Sequence, residues 1–161
     1  MTTAEYNLCV DNHADGVYRF ILKNIGDEEQ ARDVVQEAFT RLWEHHRDVN
    51  NEKAKSYLFT AAYHTMINLI RKEKKQTRLE EYHTKEMVFE STSFDLKQIL
   101  NEAVDKLPEI QKSVVLLRDY EGYSYEEIGE ITGLNESQVK VYIYRARVFL
   151  KNYIGSLQNV L

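Results

Sequence analysis

The length and composition of the chain limit what kind of protein it can be. It has 161 residues, a net charge of −5, one proline, six glycines and one cysteine, enough for a single domain or for two small ones. The lone Cys9 excludes an internal disulfide, as is usual in a reducing compartment. Because no apolar run approaches the roughly 18–20 residues that cross a bilayer, and because the first residues lack a signal-peptide pattern, we expect a cytoplasmic protein without membrane insertion.

Apolar residues recur three and four positions apart along most of the chain, a spacing that predicts an all-α protein. The first helix is predicted over 6–25 and ends at Gly26. A second helix begins near Asp27 and carries a regular apolar stripe over 31–43. A polar loop over 47–55 precedes a third helix, which ends in a basic cluster. The cluster consists of Arg71, Lys72, Lys74, Lys75 and Arg78.

Dense charge and few apolar residues over 73–93 predict a solvated, partly helical tether. Four apolar residues within it could still dock on a domain: Tyr82, Met87, Val88 and Phe89. Beyond it, Pro108 is predicted as the first residue of a helix that continues toward Tyr120 and ends at Gly122. We therefore predict two small helical domains joined by a charged linker. The predicted ranges are 5–75 and 94–155 for the domains and 76–93 for the linker.

The last part of the chain has the pattern of a helix-turn-helix. Ser124 and Glu127 form a Ser-x-x-Glu capping box that opens a short helix, and Gly133 allows a sharp turn after it. Gly129 is predicted to lie where two crossing helices approach most closely. Asn135 or Ser137 can cap the next helix. Its predicted buried positions are Val139, Tyr142, Ile143, Ala146, Phe149 and Leu150, and its outer face holds Gln138, Lys140, Val141, Tyr144 and Arg145.

Charge is distributed unevenly, and this matters for DNA binding. Residues 80–136 hold 5 Lys or Arg and 14 Asp or Glu, whereas residues 137–161 hold four basic residues and no acidic one. A basic outer face with hydrogen-bond donors suits a helix that enters the major groove. The alternative is a plain helical hairpin with a solvated outer face; the coincidence of capping box, glycine turn and acid-free helix favours DNA binding.

Two stretches resemble a known family, the extracytoplasmic function (ECF) sigma factors of the sigma-70 family of bacterial RNA polymerase. Its region two is similar to the run from Asp33 through Trp43, continued from Tyr57 to Lys72, and its region four to the run from Leu107 through Arg147. Response regulators share much of the region-four pattern. The resemblance implies partners: the clamp and flap of core RNA polymerase, promoter DNA and an anti-sigma factor.

The resemblance also assigns roles to residues. In the second helix, five residues lie opposite the apolar stripe and are implied to bind the coiled-coil clamp of the largest polymerase subunit: Asp33, Gln36, Glu37, Thr40 and Arg41. An acidic, amide-bearing face suits a basic partner. In region four, the implied minus-35 contacts are Gln138, Lys140, Val141, Tyr144 and Arg145. Tyr142 stands where many relatives carry a basic residue, so we expect weak DNA binding by the isolated protein.

The polar loop and the helix behind it correspond to the family's minus-10 reader, which holds a base flipped out of the melted strand. Such a pocket needs polar edges, a stacking surface and cations for the backbone. The residues offering these groups are Asn50, Asn51, Lys53, Lys55, Tyr63, His64, Asn68, Arg71 and Lys72. His64 stands where many family members have asparagine, which leaves the base preference open, and it could equally be an inert surface group.

No pattern of an enzyme, a cofactor site or a metal site is present in the sequence. The histidines lack ligand spacing, and there is no glycine-rich phosphate loop. Two rival hypotheses remain. One is a stand-alone helix-turn-helix regulator whose first domain senses a ligand or dimerises, which predicts paired DNA half-sites. The other is an anti-sigma-like interaction protein that does not bind DNA, which the acid-free last helix argues against.

Overall fold

The computed structural model of the chain describes residues 1–79 and 96–158. The described residues form α-helices and no strand, so the all-α prediction is confirmed. The helices are α1 (Thr3–Ile25), α2 (Glu28–His45), α3 (Ala54–Leu79), α4 (Leu96–Asp105), α5 (Glu109–Val115), α6 (Tyr125–Thr132) and α7 (Glu136–Gln158). A 3-10 turn, Asn51–Lys53, precedes α3, and a π-helical turn, Leu116–Tyr120, follows α5. We call α1–α3 module one and α4–α7 module two.

The boundary between α1 and α2 follows the predicted cap residues. Gly26 takes the left-handed conformation, with φ of 70°, and its N–H donates to the carbonyl of Leu22. Asp27 then caps α2, because its carboxylate accepts a hydrogen bond from the N–H of Gln30. The first helix begins earlier than predicted, since Thr2 and Glu5 form a capping box at its start.

Helix α3 runs farther than the composition indicated. It continues to Leu79, so residues 73–79, assigned from their charge to a partly helical tether, are helical. Helix formation does not require a buried face when good helix formers such as Lys, Glu and Gln extend an existing helix. The remaining tether residues, including Tyr82, Met87, Val88, Phe89 and Phe94, lie outside the described residues.

The helix after Pro108 differs in detail from the prediction. Pro108 is the residue before the helix, not its first residue. Helix α5 ends at Val115 and gives way to the π-helical turn, in which the N–H of Glu121 donates to the carbonyl of Leu116 at 3.1 Å. Gly122 then ends this segment as predicted, with φ of 76°.

The two modules share one hydrophobic core. In module one, Phe20, Leu42 and Met66 are fully buried, and in module two, Leu117 and Ile128 are fully buried. All five belong to a single cluster of contacting side chains. Helix α6 packs on α3, and α5 approaches α1. The described part of the chain contains no helix both long and apolar enough to span a membrane.

Candidate nucleic-acid and polymerase interfaces

The helix-turn-helix is held by short-range hydrogen bonds. The Ser124 hydroxyl accepts from the N–H of Glu127, and the Glu127 carboxylate accepts from the N–H of Ser124, both at 3.1 Å. Gly133 is left-handed, with φ of 80°. The capping box and the glycine turn are therefore confirmed.

Gly129 is required for a reason other than the predicted one. A Cβ atom at this position would lie 2.7 Å from the carbonyl oxygen of Leu134, and no other residue comes as close. Leu134 belongs to the turn, so the close neighbour is the backbone of the turn itself. The prediction that Gly129 lies at the crossing of two helices is wrong.

Helix α7 is capped by Asn135, not by Ser137. The Asn135 side-chain oxygen accepts from the N–H of Gln138 at 2.8 Å, and the Gln138 side-chain oxygen accepts from the N–H of Asn135 at 3.0 Å. Gln138 therefore contributes its side-chain oxygen to the cap. The side chain as a whole is exposed, and its NH2 group with it. This reciprocal pair fixes the start of the helix beside the turn.

The buried face of α7 matches the periodicity except at one position. Val139, Ile143 and Ala146 are buried, and Tyr142 and Leu150 are half-buried. The prediction was wrong for Phe149, which is 36% exposed and stacks on Tyr153 at a centroid distance of 6.1 Å. The buried face continues past this position, because Leu150 packs on the core, whereas the Phe149 ring contacts an aromatic neighbour along the helix.

The outer face of α7 is accessible. Its four predicted minus-35 residues beyond the cap are exposed: Lys140, Val141, Tyr144 and Arg145. Tyr144 is 70% exposed. Lys140 forms an ion pair with Glu136 at 3.3 Å, but both side chains are more than half exposed, so this pair is weak and leaves Lys140 available. The face offers cations, a phenol and a valine that could meet a thymine methyl group.

The predicted polymerase-binding residues form one exposed face of α2. All five are exposed: Asp33, Gln36, Glu37, Thr40 and Arg41. Glu37 pairs with Arg41 at 2.8 Å, and the Thr40 hydroxyl donates to the carbonyl of Gln36 at 2.9 Å. Among the described residues, the carboxylate of Asp33 makes no hydrogen bond or ion pair, which leaves it free to accept from a cation of a partner.

A groove connects this face to the predicted minus-10 residues of α3. It has a volume of about 370 Å³. Asp33, Glu37 and Arg41 line one wall, and Asn68 and Lys72 line the other. The spacing within each helix did not reveal that the two sets face each other, because this depends on how α2 packs on α3.

Most of the predicted minus-10 residues are exposed. Asn50, Asn51, Lys53, Lys55, His64, Asn68, Arg71 and Lys72 are accessible to solvent. The Asn50 side chain caps the 3-10 turn by accepting from the N–H of Glu52 at 3.0 Å. Tyr63 differs, because it is only 6% exposed. Burial, followed by the charge of Glu109, raises the pKa of Tyr63, and in this conformation its ring cannot stack on a base.

The sequence pattern does not reveal an aromatic cluster that lies beside the polar loop. Trp43 was assigned to the buried stripe, but it is 43% exposed and stacks on His46 at a centroid distance of 4.3 Å. Tyr6 meets Trp43 at 4.9 Å and donates its hydroxyl proton to the carbonyl of Phe39. The i, i+3 spacing of Trp43 and His46 was the available signal. The cluster supports the helix end from which the polar loop departs.

These features define a class: a helical DNA-binding protein in which a three-helix module is joined to a helix-turn-helix module. Residues 9–76 match the family described as Sigma-70 region 2, and residues 97–150 match the family described as Sigma-70, region 4. Within the described residues, no group of three or more His, Cys, Asp or Glu side chains could hold a metal ion.

Comparison with known proteins gives the family. RNA polymerase sigma factor SigV of Bacillus subtilis is 34% identical over 140 residues, covering 86% of this chain and 84% of SigV. ECF RNA polymerase sigma factor SigM of the same organism is 26% identical, covering 86% and 88%. The chain belongs to the sigma-70 family of RNA polymerase sigma factors and is a member of its ECF subfamily.

Solved structures share the fold. The sigma factor RpoE of Bartonella quintana, solved with the anti-sigma factor NepR, superposes with a TM-score of 0.75 at 20% identity, covering 91% of this chain and 94% of RpoE. CnrH, solved with the cytosolic domain of CnrY, gives a TM-score of 0.70 at 23% identity, covering 94% and 88%. At these identities the likeness concerns the fold alone.

Proposed function

We propose that module one binds core RNA polymerase through the exposed face of α2 and engages the minus-10 element, while module two binds the minus-35 element through α7. The observation that carries this proposal is the presence of both faces, each exposed, on one chain of the sigma factor family. The protein acts in the cytoplasm and directs an enzyme without itself being one, because nucleotide polymerisation belongs to the polymerase.

The α2 face supports the polymerase contact through its chemistry. Asp33 and Glu37 present carboxylates, and Gln36 presents an amide that can both donate and accept. Complementary charge across an interface sets its register and speeds association. A basic helix of the clamp subunit would complete the groove wall that Asp33 and Glu37 form.

The minus-10 contact is supported by the exposed groups on the polar loop and α3. Asn51 and His64 can hydrogen-bond to base edges, whereas Lys53, Arg71 and Lys72 can neutralise phosphates. Single-stranded DNA binding commonly combines such a cationic track with polar and aromatic contacts to unstacked bases.

We also propose that an anti-sigma factor regulates this chain. The solved neighbours RpoE and CnrH were each captured with a protein partner, NepR for the first and the cytosolic domain of CnrY for the second. The α2 face and the outer face of α7 are both exposed in the part of the chain that the structure describes, so one partner could cover them together. The rival function, a stand-alone regulator, predicts paired DNA half-sites. It does not require exposed Asp33 and Gln36 side chains.

Promoter affinity is expected mainly in the complex with core polymerase. Nine surplus negative charges over 80–136 oppose the approach of DNA, and α7 supplies few phosphate anchors. In electrophoretic mobility shifts at physiological salt, the free protein should bind promoter DNA weakly, and the holoenzyme should bind tightly.

Arg145→Ala tests the α7 contribution to this binding. It should weaken the holoenzyme complex about 5- to 150-fold, since a good side-chain contact to a base contributes about 1–3 kcal/mol. Lys151→Ala, an exposed cation nearer the end of α7, is the matched control. Tight sequence-specific binding by the free protein, or equal losses in the two variants, would contradict the assignment.

A further inference from the structure

The proposed minus-10 site needs an aromatic surface on which an unpaired base can stack, and Tyr63 does not supply it. The Tyr63 side chain is 6% exposed and belongs to the core cluster. The other Phe and Tyr side chains of residues 1–79 are buried or half-buried. Trp43, at 43%, is the exposed exception in that range. Of the Phe, Tyr and Trp rings in module one, the Trp43 indole is therefore the one that a base can reach.

The indole of Trp43 is held in one orientation by its neighbours. The His46 imidazole stacks on it, with ring centroids 4.3 Å apart and ring planes 10° apart. Tyr6 meets it edge-on, at a centroid distance of 4.9 Å and an angle of 62°. The Tyr6 hydroxyl is itself anchored, because it donates to the carbonyl of Phe39 at 3.0 Å. A ring fixed in this way loses little conformational entropy on binding, so its surface is preorganised.

His46 adds a hydrogen-bonding edge to the stack. Its Nδ1 lies in hydrogen-bond contact with the carbonyl of Trp43. A carbonyl oxygen can only accept, so Nδ1 carries the proton, and Nε2 of the neutral ring is an acceptor. Within the described residues, Nε2 makes no hydrogen bond. An exocyclic amino group of a nucleobase can therefore donate to it.

The stacked pair lies at the end of α2, where the polar loop with the proposed minus-10 groups begins. Arg47 is exposed and follows His46 directly, so a cation for a backbone phosphate adjoins the stack. Glu44 and Asp48 are exposed as well. Their charges offset that cation, so stacking is the main source of affinity at this position.

A nucleobase is the ligand that this surface fits best. Planar rings prefer offset stacking on one another, and every base presents a flat π-face. Trp43 also follows Gln36 by two helical turns along α2, so a contact with polymerase is the competing use of the surface. The chemistry favours a base, because a stacked imidazole and the polar loop border the indole, whereas the proposed polymerase face consists mainly of charged and amide groups.

We propose that Trp43, with His46 stacked on it, is a stacking site for an unpaired base of the melted minus-10 strand. It supplies the aromatic surface that the sequence assigned to Tyr63. The inference rests on the proposed minus-10 function of module one and names the residue that contributes stacking to it. Trp43 contributes to the affinity for the melted strand more than to its sequence preference, since all four bases can stack.

Intrinsic fluorescence tests the site directly, because Trp43 is the only tryptophan of the chain. The full-length protein is titrated with random-sequence single-stranded DNA of about 20 nucleotides, at about 50 mM salt, where phosphate contacts are strong. Stacking of a base on the indole should quench the emission saturably. The midpoint should match the one that anisotropy of the same DNA, carrying a label, gives in parallel.

Substitution of the ring gives the second measurement. Trp43→Ala should weaken binding of the single-stranded DNA about 5- to 150-fold, the range expected when a stacking aromatic is replaced by alanine. Trp43→Tyr keeps an aromatic ring and should retain most of the affinity. Phe149→Ala is the matched control, since Phe149 is an exposed aromatic that stacks on Tyr153 in module two, and it should bind as the wild type does. Far-UV circular dichroism should show unchanged helix content in all three.

The complex with core polymerase separates a DNA contact from a protein contact. Trp43→Ala should bind core polymerase as tightly as the wild type. Its holoenzyme should bind a promoter with a pre-melted minus-10 segment more weakly than the wild-type holoenzyme, again about 5- to 150-fold. The Trp43→Tyr holoenzyme should lie close to the wild type.

Each outcome decides between these assignments. Saturable DNA binding without quenching of Trp43, or equal affinity of the wild-type and Trp43→Ala holoenzymes for the pre-melted promoter, would overturn the stacking site. Loss of core binding by Trp43→Ala with unchanged DNA affinity would overturn it as well and would assign the ring to the polymerase interface. Failure of the wild-type holoenzyme to bind any promoter would instead contradict the proposed function, so the two failures are distinguishable.

Discussion

The double substitution Asp33→Arg with Gln36→Arg is expected to abolish most binding to core RNA polymerase. Both residues are exposed on α2, and they are free of the pair that Glu37 makes with Arg41. Replacing an acidic and an amide group by two cations turns complementary charge into like charge opposite a basic partner, which costs several kcal/mol at an interface. We expect the dissociation constant to rise at least about 100-fold, equivalent to about 2.7 kcal/mol.

The measurement is fluorescence anisotropy of labelled protein titrated with purified core polymerase. Asp11→Arg is the matched control, because Asp11 is an exposed carboxylate on α1, outside the predicted face. The control should bind within about twofold of the wild type, as expected for a charge change at the solvated surface. If the double variant binds core polymerase as the wild type does, the α2 face is not the polymerase contact.

Gly129→Ala is expected to destabilise module two. The added Cβ would lie 2.7 Å from the carbonyl oxygen of Leu134, a backbone atom in a turn whose path Gly133 fixes. Overpacking of this kind costs about 1–3 kcal/mol, against which the helix propensity of alanine gains about 1 kcal/mol. The net effect should be a loss of up to about 2 kcal/mol, and Gly129→Val should lose more.

Gly155→Ala is the control for Gly129→Ala. Gly155 lies in α7, where an added Cβ meets nothing within 4 Å. The same substitution there should stabilise the protein by about 0.5–1 kcal/mol through helix propensity alone. Urea unfolding followed by circular dichroism measures both. Equal stabilisation by the two variants would show that the turn yields to the methyl group and that Gly129 is not required for packing.

The elements were predictable because their signals are local. Gly26, Asp27, Ser124 and Gly133 mark helix ends by their own conformational preferences or hydrogen bonds, and each does so in the structure. Apolar spacing identified the buried faces of α2 and α7 for the same reason. The misassigned residues lie at the edge of a buried face. Trp43 and Phe149 fit the period, but each is exposed and contacts aromatic side chains instead, whereas the adjacent Leu42 and Leu150 pack on the core.

The relations between elements were not predictable from the sequence. Nothing in the spacing of Arg19 or Glu121, 102 positions apart, indicates that they pair. The groove between α2 and α3 and the burial of Tyr63 likewise depend on packing. The sequence also does not show why position 129 requires glycine, because the close neighbour is a backbone atom of the turn. Long-range contacts of this kind are set by the fold as a whole.

Run-off transcription with purified core polymerase tests the central claim most directly. The template pool should carry upstream regions of genes from the source genome, and the comparison is between core polymerase alone, core polymerase with the wild-type chain and core polymerase with the Asp33→Arg, Gln36→Arg variant. We predict discrete transcripts from specific start sites with the wild type only. Absence of promoter-specific initiation together with absence of binding to core polymerase would contradict the assignment of this chain as a sigma factor.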